Sequence, residues 1–131
     1  MIINNRIGGN VLNERCVAFA VNVEGLNTEG FARKIARKYW PELVNIGKCK
    51  IGTVLTKEMK GITFYGLVCY SIEKGWIEQS NTICECLNSI KTNEPIAVVA
   101  IGKEPLEIRR GANLSEIQSG MEKSERKIIL Y

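Results

Sequence analysis

Residues 17–42, VAFAVNVEGLNTEGFARKIARKYWPE, decide how this chain folds. The stretch opens with an unbroken apolar run, passes through a polar loop that contains Gly25 and Gly30, and continues as a helix-like segment up to Pro41. A run that is apolar throughout is typical of a strand buried on both faces of a sheet. In parallel α/β proteins, the loop that leads from such a strand to a helix lies at the carboxyl end of the strand, where ligands bind.

Helices and strands alternate along the rest of the chain. In chain order we expect an edge strand at 1–7, a buried strand at 16–21, a helix at 30–39, strands at 51–56 and 62–70 joined by a hairpin link at 57–61, a helix at 77–91, a strand at 95–101, a helix capped by Asn113 and a strand at 127–131. This order predicts an α/β fold with three layers, α/β/α, around a mixed, mostly parallel sheet of about six strands. The length predicts a single domain that covers residues 1–131.

Composition excludes several classes of protein. Hydrophobic residues make up 45% of the chain and charged residues 24%, as in an ordinary soluble globular protein. Apolar runs stay well short of the roughly 20 residues of a membrane helix, and the first residues lack the apolar core of a signal peptide, so we expect a cytoplasmic protein without a membrane partner. The net charge of +4 is compatible with an anionic ligand but falls short of the dense basic stripe of a dedicated DNA-binding protein.

The chain contains no histidine. Ser-His-Asp catalysis, Cys-His catalysis and His-ligated zinc are therefore excluded, and any catalysis would depend on Asp, Glu, Lys, Cys, backbone amides or a metal bound by oxygens. The five cysteines are irregularly spaced, and Cys84 and Cys86, two apart on a helix, point to nearly opposite sides and cannot hold one metal ion. We interpret the cysteines as reduced, partly buried thiols, and we predict neither a metal nor a cofactor.

Two glycine-containing loops are expected to lie side by side. Loop 22–30 follows the first buried strand, and loop 102–112 follows the strand at 95–101. Both loops lead to a helix N-terminus, where free amides and the helix dipole favour phosphate. For loop 22–30 the alternative is a plain turn, in which Asn22 hydrogen-bonds its own backbone.

The motifs in these segments resemble those of macrodomains. The sequence G-N-V at 9–11, the buried strand that ends V-N-x-x-G at 21–25, and G-F-A-x-x-I at 30–35 are similar to the branch that contains terminal ADP-ribose glycohydrolases and DNA ADP-ribosyl glycohydrolase antitoxins. The resemblance extends from about residue 8 to residue 131. It implies a protein that binds ADP-ribose, a related nucleotide or an ADP-ribosylated macromolecule.

The resemblance also assigns roles to individual residues. Asn10 stands where the family usually has an aspartate that accepts a hydrogen bond from the adenine amine, and the backbone of Val11 would meet the adenine. Loop 22–30 would lie against the diphosphate and the distal ribose. The implied ligand-binding residues are Asn10, Val11, Asn22, Glu24, Gly25, Gly30, Phe31, Gly102, Lys103 and Leu106.

The second loop departs from the family pattern. Where the family has a glycine-rich turn that holds the diphosphate, residues 102–106 of this chain read GKEPL. Pro105 lacks an amide donor, and Glu104 adds negative charge where phosphate would lie. Lys103, Arg109 and Arg110 would compensate for this charge only if they pointed inward.

The glycohydrolases of this branch use a lysine just after a strand and an acidic residue in the second loop. The corresponding catalytic pair here is Lys57 and Glu107, although Thr56 holds the lysine position itself. The alternative for the pair is a solvated hairpin lysine and a loop glutamate. Three readings of function stay open: a nucleotide-binding protein without hydrolysis, an ADP-ribosyl glycohydrolase that uses Lys57 and Glu107, and a degenerate macrodomain scaffold that acts through protein interaction, such as a homodimer.

Overall fold

The computed structural model describes residues 1–99 and 101–131. Its elements are β1 (Ile2–Asn5), β2 (Cys16–Asn22), α1 (Gly30–Lys38), β3 (Val54–Met59), β4 (Ile62–Ser71), β5 (Gly75–Trp76), α2 (Gln79–Ser89), β6 (Ile96–Val98), α3 (Pro105–Arg109), α4 (Leu114–Lys123) and β7 (Ile128–Leu130), with short 3-10 helices at Val11–Asn13 and Pro41–Asn45. Among these described residues, no helix is long and apolar enough to cross a bilayer.

The strands in the described part of the chain form one sheet in the order β1-β7-β6-β2-β4-β3, with β5 paired to the end of β4. Neighbouring strands are parallel from β1 to β4, whereas β3 and β5 run antiparallel to β4. Helices α2 and α4 cover one face of the sheet, and α1 covers the other. The predicted three-layer α/β/α fold with a mixed, mostly parallel sheet is confirmed.

The central strand β2 supplies side chains to both cores. Ala18 and Ala20 face the helices α2 and α4, whereas Val17, Phe19 and Val21 face α1. Every residue of this strand is buried, which explains its unbroken apolar sequence. Full burial of a side chain such as that of Phe19 stabilises the fold by roughly 1.5–3 kcal/mol.

The hairpin between β3 and β4 differs from the sequence prediction. Residues 57–61 are predicted as a polar link, but β3 extends to Met59, and the turn consists of Lys60 and Gly61 alone. Both turn residues have positive φ, 53° and 79°, as a two-residue type I′ turn requires. Because β3 is an edge strand, its outward residues can be polar, and no hydrophobic pattern marks its second half.

The segment around the second loop shows a further difference and one agreement. The strand predicted at 95–101 ends at Val98, and Ala100 of that prediction lies outside the described residues. Within the predicted loop 102–112 lies the five-residue helix α3, which is too short to leave an apolar stripe in the sequence. The cap of the next helix is confirmed, because Asn113 Oδ1 accepts a hydrogen bond from Glu116 N at 3.2 Å.

Candidate functional site

The carboxyl ends of β6, β2 and β4 lie at the same edge of the sheet, because these three neighbouring strands are parallel. The loop that follows β2 and the segment that follows β6 therefore meet there. A Cβ atom placed on Gly30, the first residue of α1, would lie 3.6 Å from Glu104 Cδ. The structure thus brings the two predicted loops together.

Between the two loops lies a small cleft, with Tyr70 from the end of β4 at its side. Its volume is about 130 Å³, and its lining residues are Glu29, Gly30, Tyr70, Glu104, Pro105, Leu106, Glu107 and Arg110. We call this space the carboxyl-edge cleft. Pockets for ligands of drug size usually measure about 300–1,000 Å³, so the cleft holds less than a nucleotide in this conformation.

Carboxylates dominate the charge of the carboxyl-edge cleft. Glu29, Glu104 and Glu107 line it, and Arg110 is the cation among the lining residues. Arg110 Nη1 lies 3.4 Å from Glu29 Oε2. The arginine is thereby partly neutralised by one of the three carboxylates, and the cleft as it stands is unfavourable for a free diphosphate.

Among the residues that line the cleft, Glu107 has the pKa that is shifted furthest from its ordinary value. Burial raises the pKa of its carboxyl group from 4.5 to about 7; a hydrogen bond from Gly102 opposes this shift, and the charge of Glu104 adds to it. Gly102 N donates to Glu107 Oε1 at 2.7 Å. Near neutral pH this carboxyl group is therefore partly protonated, the condition in which a group can donate or accept a proton during catalysis.

Tyr70 is a lining residue that the sequence analysis does not single out. Its ring stacks on Trp76, with 5.1 Å between the ring centroids and 10° between the planes. Burial raises the pKa of Tyr70 to about 12, although a hydrogen bond with Asn22 lowers it. The phenol is therefore neutral at physiological pH. The available signal was its position as the last aromatic residue of a strand that ends at the ligand-binding edge.

The side chain of Asn22 hydrogen-bonds the backbone of its own loop. Its Nδ2 donates to Leu26 O at 2.8 Å, and its Oδ1 accepts from Leu26 N at 3.0 Å. The residue is only 2% exposed. This geometry corresponds to the plain-turn alternative, in which the side chain holds the backbone.

Gly25 and Glu24 likewise fasten the first loop to its neighbours. A Cβ atom on Gly25 would lie 1.9 Å from Gly47 O, and the φ of Gly25 is +72°. Glu24 accepts hydrogen bonds from Ser71 Oγ at 2.6 Å and from Ile72 N at 2.9 Å. Burial acts to raise the pKa of Glu24, but these hydrogen bonds outweigh it and the pKa is lowered. Neither residue lines the carboxyl-edge cleft.

Three more residues implied by the resemblance also lie apart from the cleft lining. Asn10 caps the short 3-10 helix that follows it, where its Oδ1 accepts from Leu12 N at 3.0 Å. Val11 is buried in the core on the α1 side. Phe31 packs edge-on against Phe19, with 5.9 Å between the ring centroids.

The second loop contributes unequally to the cleft. Leu106 lines it, Gly102 acts on it through the hydrogen bond to Glu107, and Lys103 is exposed to solvent. Of the residues singled out from the sequence for binding or catalysis, the cleft therefore brings together Gly30, Leu106 and Glu107.

The structure does not bring Lys57 and Glu107 together. Lys57 pairs with Phe64, which in turn pairs with Val17 near the start of β2. The carboxyl end of β2, at Asn22, lies five residues further on, roughly 17 Å along the strand. Lys57 thus lies toward the opposite end of an edge strand and is not placed to act on one substrate with Glu107.

A different lysine lies at the carboxyl edge. Lys74 is in the turn between β4 and β5, and the following residue, Gly75, packs against the backbone oxygen of Arg110 in the cleft lining. Lys74 also lines a second concavity of about 410 Å³, together with Glu24 and Ser71. The sequence signal for Lys74 was its place just after a long apolar strand.

The same arrangement of helices and strands occurs in solved structures. The chain superposes on the macrodomain of Thermus aquaticus DarG with a TM-score of 0.65 and 16% sequence identity, over 100% of this chain and 97% of that one. The fold is that of a macrodomain. A second solved structure, alphavirus P23pro-zbd, matches this chain with a TM-score of 0.65 and 15% identity, over 98% of this chain and 21% of the viral chain.

At 16% and 15% sequence identity, these structural similarities show the fold alone. The sequence matches no protein-family model and no curated protein. Among the described residues, no three acidic or cysteine side chains are grouped so that they could hold a metal ion. The carboxyl-edge cleft lies where open α/β sheets bind their ligands.

Proposed function

We propose that the protein binds ADP-ribose or a related nucleotide at the carboxyl-edge cleft. The observation that carries this proposal is the contact between Gly30, at the start of α1, and the loop after β6, at the ligand-binding edge of the sheet. The three atoms nearest to a Cβ placed on Gly30 all belong to the flexible side chain of Glu104. The macrodomain fold and the sequence motifs both favour ADP-ribose as the ligand.

Binding requires two side chains of the cleft to move. Glu104 must leave the space beside Gly30, and Arg110 must exchange Glu29 for the diphosphate. The ion pair between Arg110 and Glu29 has side chains that are 21% and 50% exposed. A pair with this exposure contributes roughly 0–1 kcal/mol, so a diphosphate can replace the carboxylate at little cost.

Thermal unfolding and calorimetric titration with ADP-ribose test the proposal. A ligand at 100 times its Kd stabilises the folded protein by about 2.7 kcal/mol, which raises the melting temperature. We expect Arg110→Gln to weaken binding and Glu104→Gln to strengthen it. Glu58→Gln is the matched control, because Glu58 is an exposed residue of β3 away from the cleft. Absence of binding at millimolar ADP-ribose in both the unaltered protein and Glu104→Gln would refute the proposal.

Hydrolysis of an ADP-ribosyl bond is a second candidate function. The partly protonated carboxyl group of Glu107 favours it, as does the position of Lys74, which lies just after β4 at the edge that contains the cleft. The assay is the release of ADP-ribose from ADP-ribosylated DNA or protein. We expect Glu107→Gln and Lys74→Ala to abolish release and Lys57→Ala to leave it unchanged. Loss of release in Lys57→Ala alone would restore the pair proposed from the sequence.

If no nucleotide binds, the small and acidic cleft favours the alternative of a degenerate macrodomain scaffold that acts through protein interaction. In that case the protein would act through its surface, and a homodimer is the simplest such assembly. Size-exclusion chromatography with light scattering measures the mass directly. A monomer at all concentrations would leave the homodimer without support.

A further inference from the structure

Helix α1 presents a row of cations to solvent. Its inner side buries Ala32, Ile35 and Ala36 against the sheet. The exposed residues between them are Arg33, Lys34, Arg37 and Lys38. These four side chains, together with Lys57 and Lys60, form what we call the cationic face.

The fold adds the two lysines of the β3–β4 hairpin to this row. Tyr39, which follows α1, packs against Phe64 of β4 with 5.0 Å between the ring centroids. Lys38 Nζ lies 5.5 Å and Lys60 Nζ lies 5.6 Å from the centroid of the Tyr39 ring. Lys57 is on the same face of the sheet, because it is paired with Phe64 across the hairpin. Six of the chain's 18 lysines and arginines thus share one surface.

No ion pair in the described part of the chain involves a residue of the cationic face. The ion pairs found there involve other arginines, namely Arg6, Arg15, Arg110 and Arg126. Lys57 has an acidic neighbour in sequence, Glu58, but successive residues of a strand point to opposite faces. Apart from the half-buried Lys57, these cations are exposed to solvent and can contact a partner outside the chain.

Repulsion between the cations on α1 also destabilises the helix. Arg33 with Arg37, and Lys34 with Lys38, are like charges four residues apart, an arrangement that destabilises a helix by about 0.2–0.5 kcal/mol per pair. Arg37 and Lys38 lie in the last turn, where the helix dipole favours cations and offsets part of this cost. The remaining like-charge repulsion has no ion-pair partner in the described part of the chain, as is expected at a functional surface.

We propose that the cationic face binds the phosphodiester backbone of a nucleic acid without reading its sequence. Arg33 and Arg37 lie one turn apart, about 6 Å along the helix axis, so successive cations can contact successive phosphates. The Tyr39 ring beneath the two lysines is buried and offers no surface on which a base could stack. Helix α1 begins at the carboxyl-edge cleft, and a strand bound along it would therefore pass close to that cleft.

Fluorescence anisotropy with labelled duplex DNA of about 20 base pairs, its single strand and the corresponding RNA tests this proposal at increasing salt. We expect weak, salt-sensitive binding, in which log K falls with log salt by about 0.9 for each phosphate of a duplex that is contacted. The triple variant Lys34→Gln, Arg37→Gln, Lys38→Gln should reduce that slope by roughly 2.7 and weaken duplex binding at least about tenfold at low salt. Glutamine is a good helix former, so the helix is retained.

A second triple variant provides the matched control. Lys91, Lys123 and Lys127 are exposed lysines outside the cationic face, and their replacement by glutamine removes the same three charges. We expect this variant to bind nearly as the unaltered protein does. Equal weakening by both triples would show that only net charge matters and would overturn the proposal, as would the absence of binding to every nucleic acid at low salt.

Two further measurements fix the partner and separate this proposal from the nucleotide proposal. Binding of anionic lipid vesicles or polyglutamate as tightly as duplex DNA, in the same salt, would overturn the assignment to nucleic acid. The triple variant of the cationic face should bind ADP-ribose unchanged, because none of the three residues lines the carboxyl-edge cleft. Loss of nucleic-acid binding alone therefore reports on the cationic face alone.

Discussion

Replacement of Glu107 by glutamine should change how the stability of this protein depends on pH. The side chain of Glu107 is half-buried in the carboxyl-edge cleft, and this burial raises the pKa of its carboxyl group from 4.5 to about 7. Glutamine keeps the shape of the side chain and an oxygen that can accept the hydrogen bond from Gly102 N. The substitution thus removes the titration while it preserves the contact.

The sign and size of the effect follow from the two pKa values. The unfolded chain releases the proton of Glu107 near pH 4.5, whereas the folded protein holds it up to about pH 7. Its contribution to stability is therefore fully present below pH 4.5 and is lost as the pH rises to 7. Since one pKa unit corresponds to about 1.4 kcal/mol, the whole loss is about 3 kcal/mol, of which about 2.5 kcal/mol falls between pH 5 and pH 8.

Urea unfolding at a series of pH values measures this difference. We expect the free energy of unfolding of Glu107→Gln, relative to the unaltered protein, to increase by about 2.5 kcal/mol from pH 5 to pH 8. Groups that titrate in both proteins, such as the α-amino group of Met1, cancel in the comparison. Glu58→Gln removes an exposed carboxylate and should keep the original pH dependence. Parallel curves for Glu107→Gln and the unaltered protein would refute the reasoning.

Three other substitutions test the structure of the loops and caps. Gly25→Ala should destabilise the protein by more than about 2 kcal/mol in urea, because its Cβ would lie 1.9 Å from a backbone oxygen, whereas Gly61→Ala, with positive φ but open space, should cost about 1 kcal/mol. Ser71→Ala should raise the pKa of Glu24 in an NMR titration and change stability by less than about 1 kcal/mol; an unchanged pKa would contradict the hydrogen bond. Asn113→Ala should lower the unfolding free energy by about 1 kcal/mol through loss of the helix cap, and an unchanged value would argue against that cap.

The fold could be predicted from the sequence because buried elements leave strong patterns. Strand β2 is buried on both faces and reads as an unbroken apolar run, and α1 buries one side and carries charges on the other. Edge strand β3 leaves no such pattern, because solvent allows polar residues along it. The short helix α3 leaves none either, because its five residues form little more than one turn. Prediction therefore succeeded for the centre of the sheet and for edge strand β1, and it failed for the bounds of β3 and for α3.

The site was harder to predict because a sequence does not show which partner satisfies a given residue. Asn22 and Gly25 have the residue types of a ligand-binding loop, but the structure uses them against Leu26 and Gly47. The partner of Gly25 is 22 residues away and has no signal of its own. Tyr70 belongs to the cleft only because β4 is the parallel neighbour of β2, which is a property of the sheet as a whole.

The acidic residues of the cleft can be understood from the helix that begins there. The N-terminus of α1 carries free amides and a positive dipole, which attract negative charge. In this structure Glu29 precedes the helix without capping it through its side chain, and Glu104 extends from the second loop to Gly30. Carboxylates of the chain thus lie at the start of this helix, and the proposed nucleotide would have to displace them. This competition is the reason that neutralising Glu104 should strengthen binding.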